Sequence, residues 1–245
     1  MASEDFSKRI SELLHRSLSR NIYTYTPFLN PTAQAEVSAF AGENVVFFGG
    51  FDFAERKIAR FGKEEDVGYT EEPPIVILKL TPKGAKFTRE LTHRDYLGAI
   101  LNLGIERDKI GDIFVNGENA YLVADEKIGD FLIENLGRAG RNTLLVSVCD
   151  EVPEEFRPKV ERKSVSVQSN RVDAIISRVF NLSREDGSSA VKDGAALVNG
   201  KEVNPSYPLK EGDAVSVKGY GKFIFSGEGG TSKKGKTYIE IELFK

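Results

Sequence analysis

The sequence is poor in the residues from which disulfide frameworks and metal sites are made. Its 245 residues include one cysteine, Cys149, and two histidines, His15 and His93. A lone thiol closes no intramolecular disulfide and suits a reducing compartment. Two scattered histidines and one cysteine exclude the clustered spacings of zinc sites. His15 reads as a surface side chain of an amphipathic helix, and Cys149, at a strand end, as a buried structural thiol. Long apolar runs are also missing, since no stretch approaches the ~18–20 residues that cross a bilayer. The opening MASEDFSKRI is charged and polar, unlike a secretory signal. A cytoplasmic location with no membrane partner is the expectation.

What is present suits folded domains. Hydrophobic residues make up 40% and charged residues 29% of the chain, enough for two or three small cores. The net charge of −3 hides an asymmetry: residues 159–245 carry 15 Lys+Arg against 11 Asp+Glu, and residues 1–158 carry 19 against 26. A basic end behind an acidic body points to a polyanionic partner.

Phe6, Ile10, Leu13, Leu14 and Leu18 recur at helical spacing over residues 4–20. Pro27 and Pro31 interrupt the helix, and Pro31 can open a second one through Ala41. Residues 45–48 read as a strand, residues 53–61 as a helix, and residues 62–74 as an acidic, turn-rich boundary. From Ile75 the order is strand, helix (93–103), two strands joined at Asn116-Gly117, helix (126–136), strand (144–148). This β-α-β-β-α-β order is that of the ferredoxin-like fold, with two helices on one face of an antiparallel sheet. The class is α+β. The expected domains are a mixed N-terminal subdomain (1–73), a ferredoxin-like, RNA-recognition-like middle domain (74–152), a linker (153–163), and a small C-terminal α/β RNA-binding domain with a β-hairpin (164–245).

Two motifs fail on context. Gly230–Thr237 fits the phosphate-loop letters, but that chemistry needs a helix after the loop. The residues after Thr237 alternate like a strand, so Lys233, Lys234 and Lys236 read as a basic hairpin tip. His93-Arg94-Asp95 matches a kinase catalytic loop in letters but lacks its asparagine spacing and partner motifs. Thr92 and Asp95 read instead as a capping box, which leaves His93 and Arg94 exposed at a helix end, as solvated side chains or as secondary RNA contacts. Phe114 and Tyr121 sit on middle-domain strands, where they can stack on bases or pack in a core.

The informative stretch is residues 164–218. Val172, Ile175, Ile176 and Val179 form one apolar helix face, which leaves Arg171 and Arg178 for solvent. Ser183 stands at an N-cap position. Arg184 opens the next helix, where a cation opposes the helix dipole by ~0.3–1 kcal/mol unless an external anion answers it. Gly187 costs that helix ~1 kcal/mol against alanine. Gly194 is a C-terminal stop, and Asn199-Gly200 a two-residue turn.

Arg171-Val172-Asp173, Ser183-Arg184, Gly194, Val198-Asn199-Gly200 and Gly212-Asp213 resemble, in order and spacing, the RNA-binding domain first known from small-subunit ribosomal protein S-four. Ala195-Ala196 departs from a place that is often basic in that family. The resemblance implies that Arg171, Arg184 and Lys192 face RNA phosphates, with Lys201 near the turn. With Arg178, Ser183, Asn199, Lys218, Lys222 and the hairpin lysines Lys233, Lys234 and Lys236, these are the candidate RNA-binding residues. Such a domain reads bent RNA by shape and phosphate contact.

The stretches PFLNPTAQ (27–34), GGFDFAERK (49–57) and LTHRDYLGAILNLGIERDKIGDIFV (91–115) are similar to the YlmH family. That resemblance implies a non-catalytic protein without cofactor or small-molecule substrate. It implies ribosomal RNA, tRNA and the large ribosomal subunit as partners, in quality control of obstructed peptidyl-tRNA complexes. An RNA-modifying enzyme anchored by the C-terminal domain, or an interaction adaptor linked to cell division, are the alternatives.

Overall fold

The computed structural model describes residues 4–51, 53–83, 90–116, 119–156, 159–231 and 235–244. The class is α+β, and the chain divides into two compact units, Met1–Arg157 and Pro158–Lys245.

The first unit opens with α1 (Glu4–Arg20), β1 (Thr24–Tyr25) and α2 (Pro31–Ala41). Asn30 caps α2 by accepting the Ala33 N–H at 2.8 Å, and Pro31 follows at the first helical position, where its missing N–H costs nothing. Next come β2 (Val45–Phe48), β3 (Ile58–Phe61) and a single-turn α3 (Glu64–Val67). The strands pair in the order β1-β3-β2, and Ile10 of α1 and Val37 of α2 pack with Phe61 of β3.

The helix expected over 53–61 does not form. Ile58–Phe61 is instead the central strand, paired on both sides. A tight loop precedes it: a Cβ on Gly49 would lie 2.1 Å from Ala54 Cβ, so the chain turns back on itself there. Ile58, Ala59 and Phe61 are all buried. A short apolar run of that kind suits helix and strand equally, and tertiary pairing decides between them.

The middle segment comprises β4 (Ile75–Lys83), α4 (His93–Leu101), β5 (Ile110–Asn116), β6 (Asn119–Asp125), α5 (Gly129–Asn135), β7 (Arg138–Ala139) and β8 (Asn142–Cys149). Its antiparallel sheet runs β5-β6-β4-β8-β7. Apart from the short edge strand β7, this is the ferredoxin-like order. Leu78, Leu80, Leu122, Leu144 and Val146 turn one sheet face toward Tyr96 and Ile100 of α4 and Leu132 of α5, as period-2 alternation requires.

The second unit comprises β9 (Val160–Val167), α6 (Val172–Val179), α7 (Arg184–Lys192), β10 (Ala196–Val198), β11 (Ala214–Val217), β12 (Gly221–Thr231) and β13 (Thr237–Phe244). Its antiparallel sheet runs β10-β11-β12-β13-β9. Its core joins Ile175 and Ile176 of α6 to Phe223, Phe225, Ile239 and Ile241.

Candidate nucleic-acid interface

In the second unit, α6 is held at its N-terminus by a loop: Val172 N–H donates to Tyr207 O at 2.9 Å and Asp173 N–H to Pro205 O at 3.3 Å. Ser183 caps α7, accepting the Asp186 N–H at 3.0 Å and donating to Asp186 Oδ2 at 2.7 Å. The two helices cross at Gly187. A Cβ there would stand 2.0 Å from Ser177 Oγ and 2.8 Å from the Asp173 carbonyl oxygen. The glycine that looked like a helix defect is what lets α6 and α7 approach.

The candidate side chains divide into those that hold the fold and those that face water. Arg171 grips the buried Asp173 carboxylate with two bonds, Nε–Oδ1 at 3.1 Å and Nη2–Oδ2 at 2.6 Å. That hydrogen-bonded partner raises its pKa, and its side chain stays 41% exposed. Asn199, at φ +50, shapes the turn by donating to Asp213 Oδ1 at 2.7 Å and accepting the Ala214 N–H at 2.9 Å. Asp213 is buried and also accepts the Lys210 N–H. Ser183 and Asn199 thus have their side-chain polar atoms occupied within the domain.

Arg178, Arg184, Lys192, Lys201 and Lys218 are exposed, and among the described residues none of them is ion-paired. Arg184, Ser188 and Lys192 recur every fourth residue along one side of α7, next to the buried Gly187 and Val191. Glu185 and Asp186 follow Arg184 and suit the helix N-terminus. Lys222 is half-buried, with Nζ 5.2 Å from the Phe244 ring centroid. Lys236 is exposed in the turn between β12 and β13, directly before Thr237, and Lys233 and Lys234 lie outside the described residues. Thr237 begins a strand, so the phosphate-loop letters of Gly230–Thr237 sit between strands and not before a helix.

In the first unit, the capping box of α4 forms: Thr92 N–H and Oγ1 donate to Asp95 Oδ2 at 2.8 and 2.7 Å. His93 and Arg94 are exposed. Local desolvation, and then the Arg107 guanidinium, lower the His93 pKa and so disfavour its cationic form.

The sheet face turned away from α4 and α5 is half closed. Phe114 meets Phe51 edge to face at 4.6 Å, and Tyr121 meets Phe156 at 4.5 Å. Tyr121 is 4% exposed. Of the two readings open for these aromatics, the structure shows packing. Arg56 fixes the covering loop by donating to Ile110 O at 3.0 Å, Phe28 O at 2.9 Å and Arg107 O at 3.3 Å. Asp112 accepts the Glu55 and Arg56 N–H groups at 2.6 and 3.3 Å, and burial raises its pKa. Asp95 and Asp112 both have structural work.

A cleft of about 640 Å³ in this unit is lined by Phe47, Phe51, Ile75 and Val148, with Lys57, Glu72 and Asp150 as its charged residues. Cys149 is half-buried and donates its thiol to Glu151 O at 3.0 Å. Among the described residues there is no group of three or more metal-ligating side chains, and no helix long and apolar enough to cross a membrane.

Two family models match the chain: a putative RNA-binding domain in YlmH over residues 75–151, and the S4 domain over residues 171–215. Ribosome-associated protein quality control protein P2 of Bacillus subtilis (strain 168) is 31% identical over 228 residues, which is 90% of this chain and 87% of that protein. A solved structure, cell division protein ylmH from Streptococcus pneumoniae, aligns at 22% identity with a TM-score of 0.48, over 61% of this chain and 93% of that one.

Proposed function

The chain belongs to the YlmH family, and from that premise we propose that it is a non-catalytic RNA-binding protein that docks on the ribosome through α6 and α7. The observation that carries the reading is a set of exposed cations with no carboxylate partner among the described residues: Arg178, Arg184, Lys192, Lys201 and Lys218. A phosphate answers the unfavourable position of Arg184 at a helix start, and the remaining cations extend the contact along the RNA backbone. The name of the Bacillus subtilis relative supports the ribosome as partner and quality control as the setting. In this reading the target is ribosomal RNA and tRNA on the large subunit, in obstructed peptidyl-tRNA complexes. Recognition is by RNA shape and phosphate, in the cytoplasm, with no cofactor.

The test is Arg178→Glu, Arg184→Glu and Lys192→Glu combined in the full chain, with sedimentation on purified ribosomes at low salt. Arg171 is left intact because it holds Asp173, so its loss confuses folding with binding. The expected outcome is loss of co-sedimentation with an unchanged melting temperature. Full co-sedimentation of this variant would overturn the proposal.

A further inference from the structure

Two strand edges end at the cleft of the first unit, and neither is guarded. β2 stands at one side of its sheet and pairs only with β3. β8 pairs with β4 from Thr143 to Cys149, but β7 covers its other side only at Asn142 and Thr143. One further bond there runs from the Leu144 N–H to Gly137 O. Among the described residues, 145–149 have no main-chain partner on that side. Native sheets guard such edges with charges, prolines or bulges. β9, the edge of the second unit's sheet, carries Glu161, Arg162 and Lys163. β5, the far edge of the middle sheet, carries Asp112 and a register irregularity between Ile110 and Ile113. β2 and residues 145–149 hold no charge, no proline and no irregularity. Val46, Leu145 and Val148 are instead 44%, 50% and 60% exposed. An unpaired, uncharged and apolar edge is suited to pairing with another strand.

The cleft of about 640 Å³ lies where both strands stop. Phe48, the last residue of β2, lines it with Phe51, and so do Val148 and Cys149 at the end of β8. Its charge selects the partner. Glu72 and Asp150 line it, both are exposed, and among the described residues neither is ion-paired. Glu71 and Glu151 adjoin them in sequence, and Lys57 is the one cation among the described lining residues. These carboxylates repel a phosphate chain and favour a partner with basic side chains. An extended peptide meets all three conditions. Its main chain continues the sheet, its apolar side chains enter the cleft, and its basic side chains, on alternate positions, reach Glu72 and Asp150.

We infer that the cleft and the free edge of β8 form a docking site for an extended, basic segment of a partner protein, which adds to the sheet as a strand beside residues 145–149. The site belongs to the first unit, whereas α6 and α7 belong to the second, and it goes beyond the RNA-binding reading.

The experiment uses the full chain, wild type and Glu72→Lys/Asp150→Lys, with three fluorescein-labelled synthetic probes read by anisotropy. The first is a blocked octapeptide that alternates lysine and valine. The second has glutamate in place of lysine, and the third is the lysine peptide N-methylated at every residue, which keeps the charge but removes the main-chain donors. The lysine peptide should bind the wild type about tenfold tighter than the glutamate peptide, and the paired charge reversals should weaken it by about tenfold and turn the preference round. The methylated peptide should not bind. Hydrogen exchange of the complex should show slowed amides within residues 145–149. The idea is overturned if the lysine peptide does not bind, if it binds no better than the glutamate or methylated probe, or if protection falls outside β2 and β8. Protection of β2 with residues 145–149 unchanged would move the strand to the wrong edge and overturn it too. So would a charge-reversed variant of unchanged melting temperature that holds the lysine peptide as well as the wild type does. Oligouridylate that displaces the peptide and itself slows residues 145–149 would give the surface to nucleic acid and end the proposal.

Discussion

Gly187 shows how one residue can be unfavourable locally and required globally. In an isolated helix alanine is better by ~1 kcal/mol. Here the added methyl would meet Ser177 Oγ at 2.0 Å and the Asp173 carbonyl oxygen at 2.8 Å. Ser177 cannot simply move aside, because its one hydroxyl hydrogen is shared between Asp173 O at 2.9 Å and Ser183 O at 3.1 Å. Overpacking of this kind costs about 1–3 kcal/mol, enough to outweigh the propensity gain. Gly187→Ala is therefore expected to destabilise the second unit by about 2 kcal/mol in urea unfolding. Ser177→Ala added to it should recover only part of the loss, since the backbone carbonyl remains in the way. A stabilised Gly187→Ala protein would show that the helices separate freely.

Arg56 makes the corresponding case at the level of elements. Its guanidinium reaches carbonyls before α2, before β5 and within β5, while Asp112 of β5 accepts the N–H groups of Glu55 and Arg56. The loop ahead of β3 is thus tied to the ferredoxin-like sheet from both sides. Charged hydrogen bonds contribute about 1.5–3 kcal/mol each at the upper end, and truncation leaves the carbonyls unsatisfied. Arg56→Ala should lower the stability of the first unit by about 2–4 kcal/mol, read by hydrogen exchange of β5 and β6, with the protection of β12 and β13 unchanged.

This tie also marks where the sequence stops being readable. Elements whose pattern is local are legible: the α4 capping box, the Asn199-Gly200 turn with both residues at positive φ, and the start of α7 after Ser183. The β-α-β-β-α-β order follows from alternation alone. The run before Phe61 reads wrongly as a helix because Ile58–Phe61 takes its partners from β1 and β2, over thirty positions away in one case and ten or more in the other. The candidate site is legible in its charges but not in its divisions. Nothing local says that Arg171 folds back on Asp173, that Asn199 bonds Asp213, or that Phe51 and Phe156 close the sheet over Phe114 and Tyr121. An Arg-x-Asp spacing at a helix start is the one available signal for the first of these.

At the scale of the molecule, charge is sorted between the two units. The first carries 19 basic and 26 acidic residues and the second 15 and 11, so the chain as a whole, at −3, repels RNA weakly while its second unit attracts it. Attraction of that kind is local and easily screened: the Debye length is ~8 Å at physiological ionic strength, so only phosphates close to the exposed cations count. If Arg178, Arg184, Lys192, Lys201 and Lys218 each neutralise one phosphate, counterion release gives a slope of about −3.5 to −4.5 in log affinity against log salt. Ribosome co-sedimentation measured across a salt series is expected to fall with that slope. Arg184→Ala and Lys192→Ala together should make it shallower by about 1.4–1.8. Because the interaction is with phosphate, the same variants should weaken binding to unrelated structured RNAs in similar proportion. A slope near zero would mean that the contact is made by packing and neutral hydrogen bonds, and the sorting of charge between the units would then need another explanation.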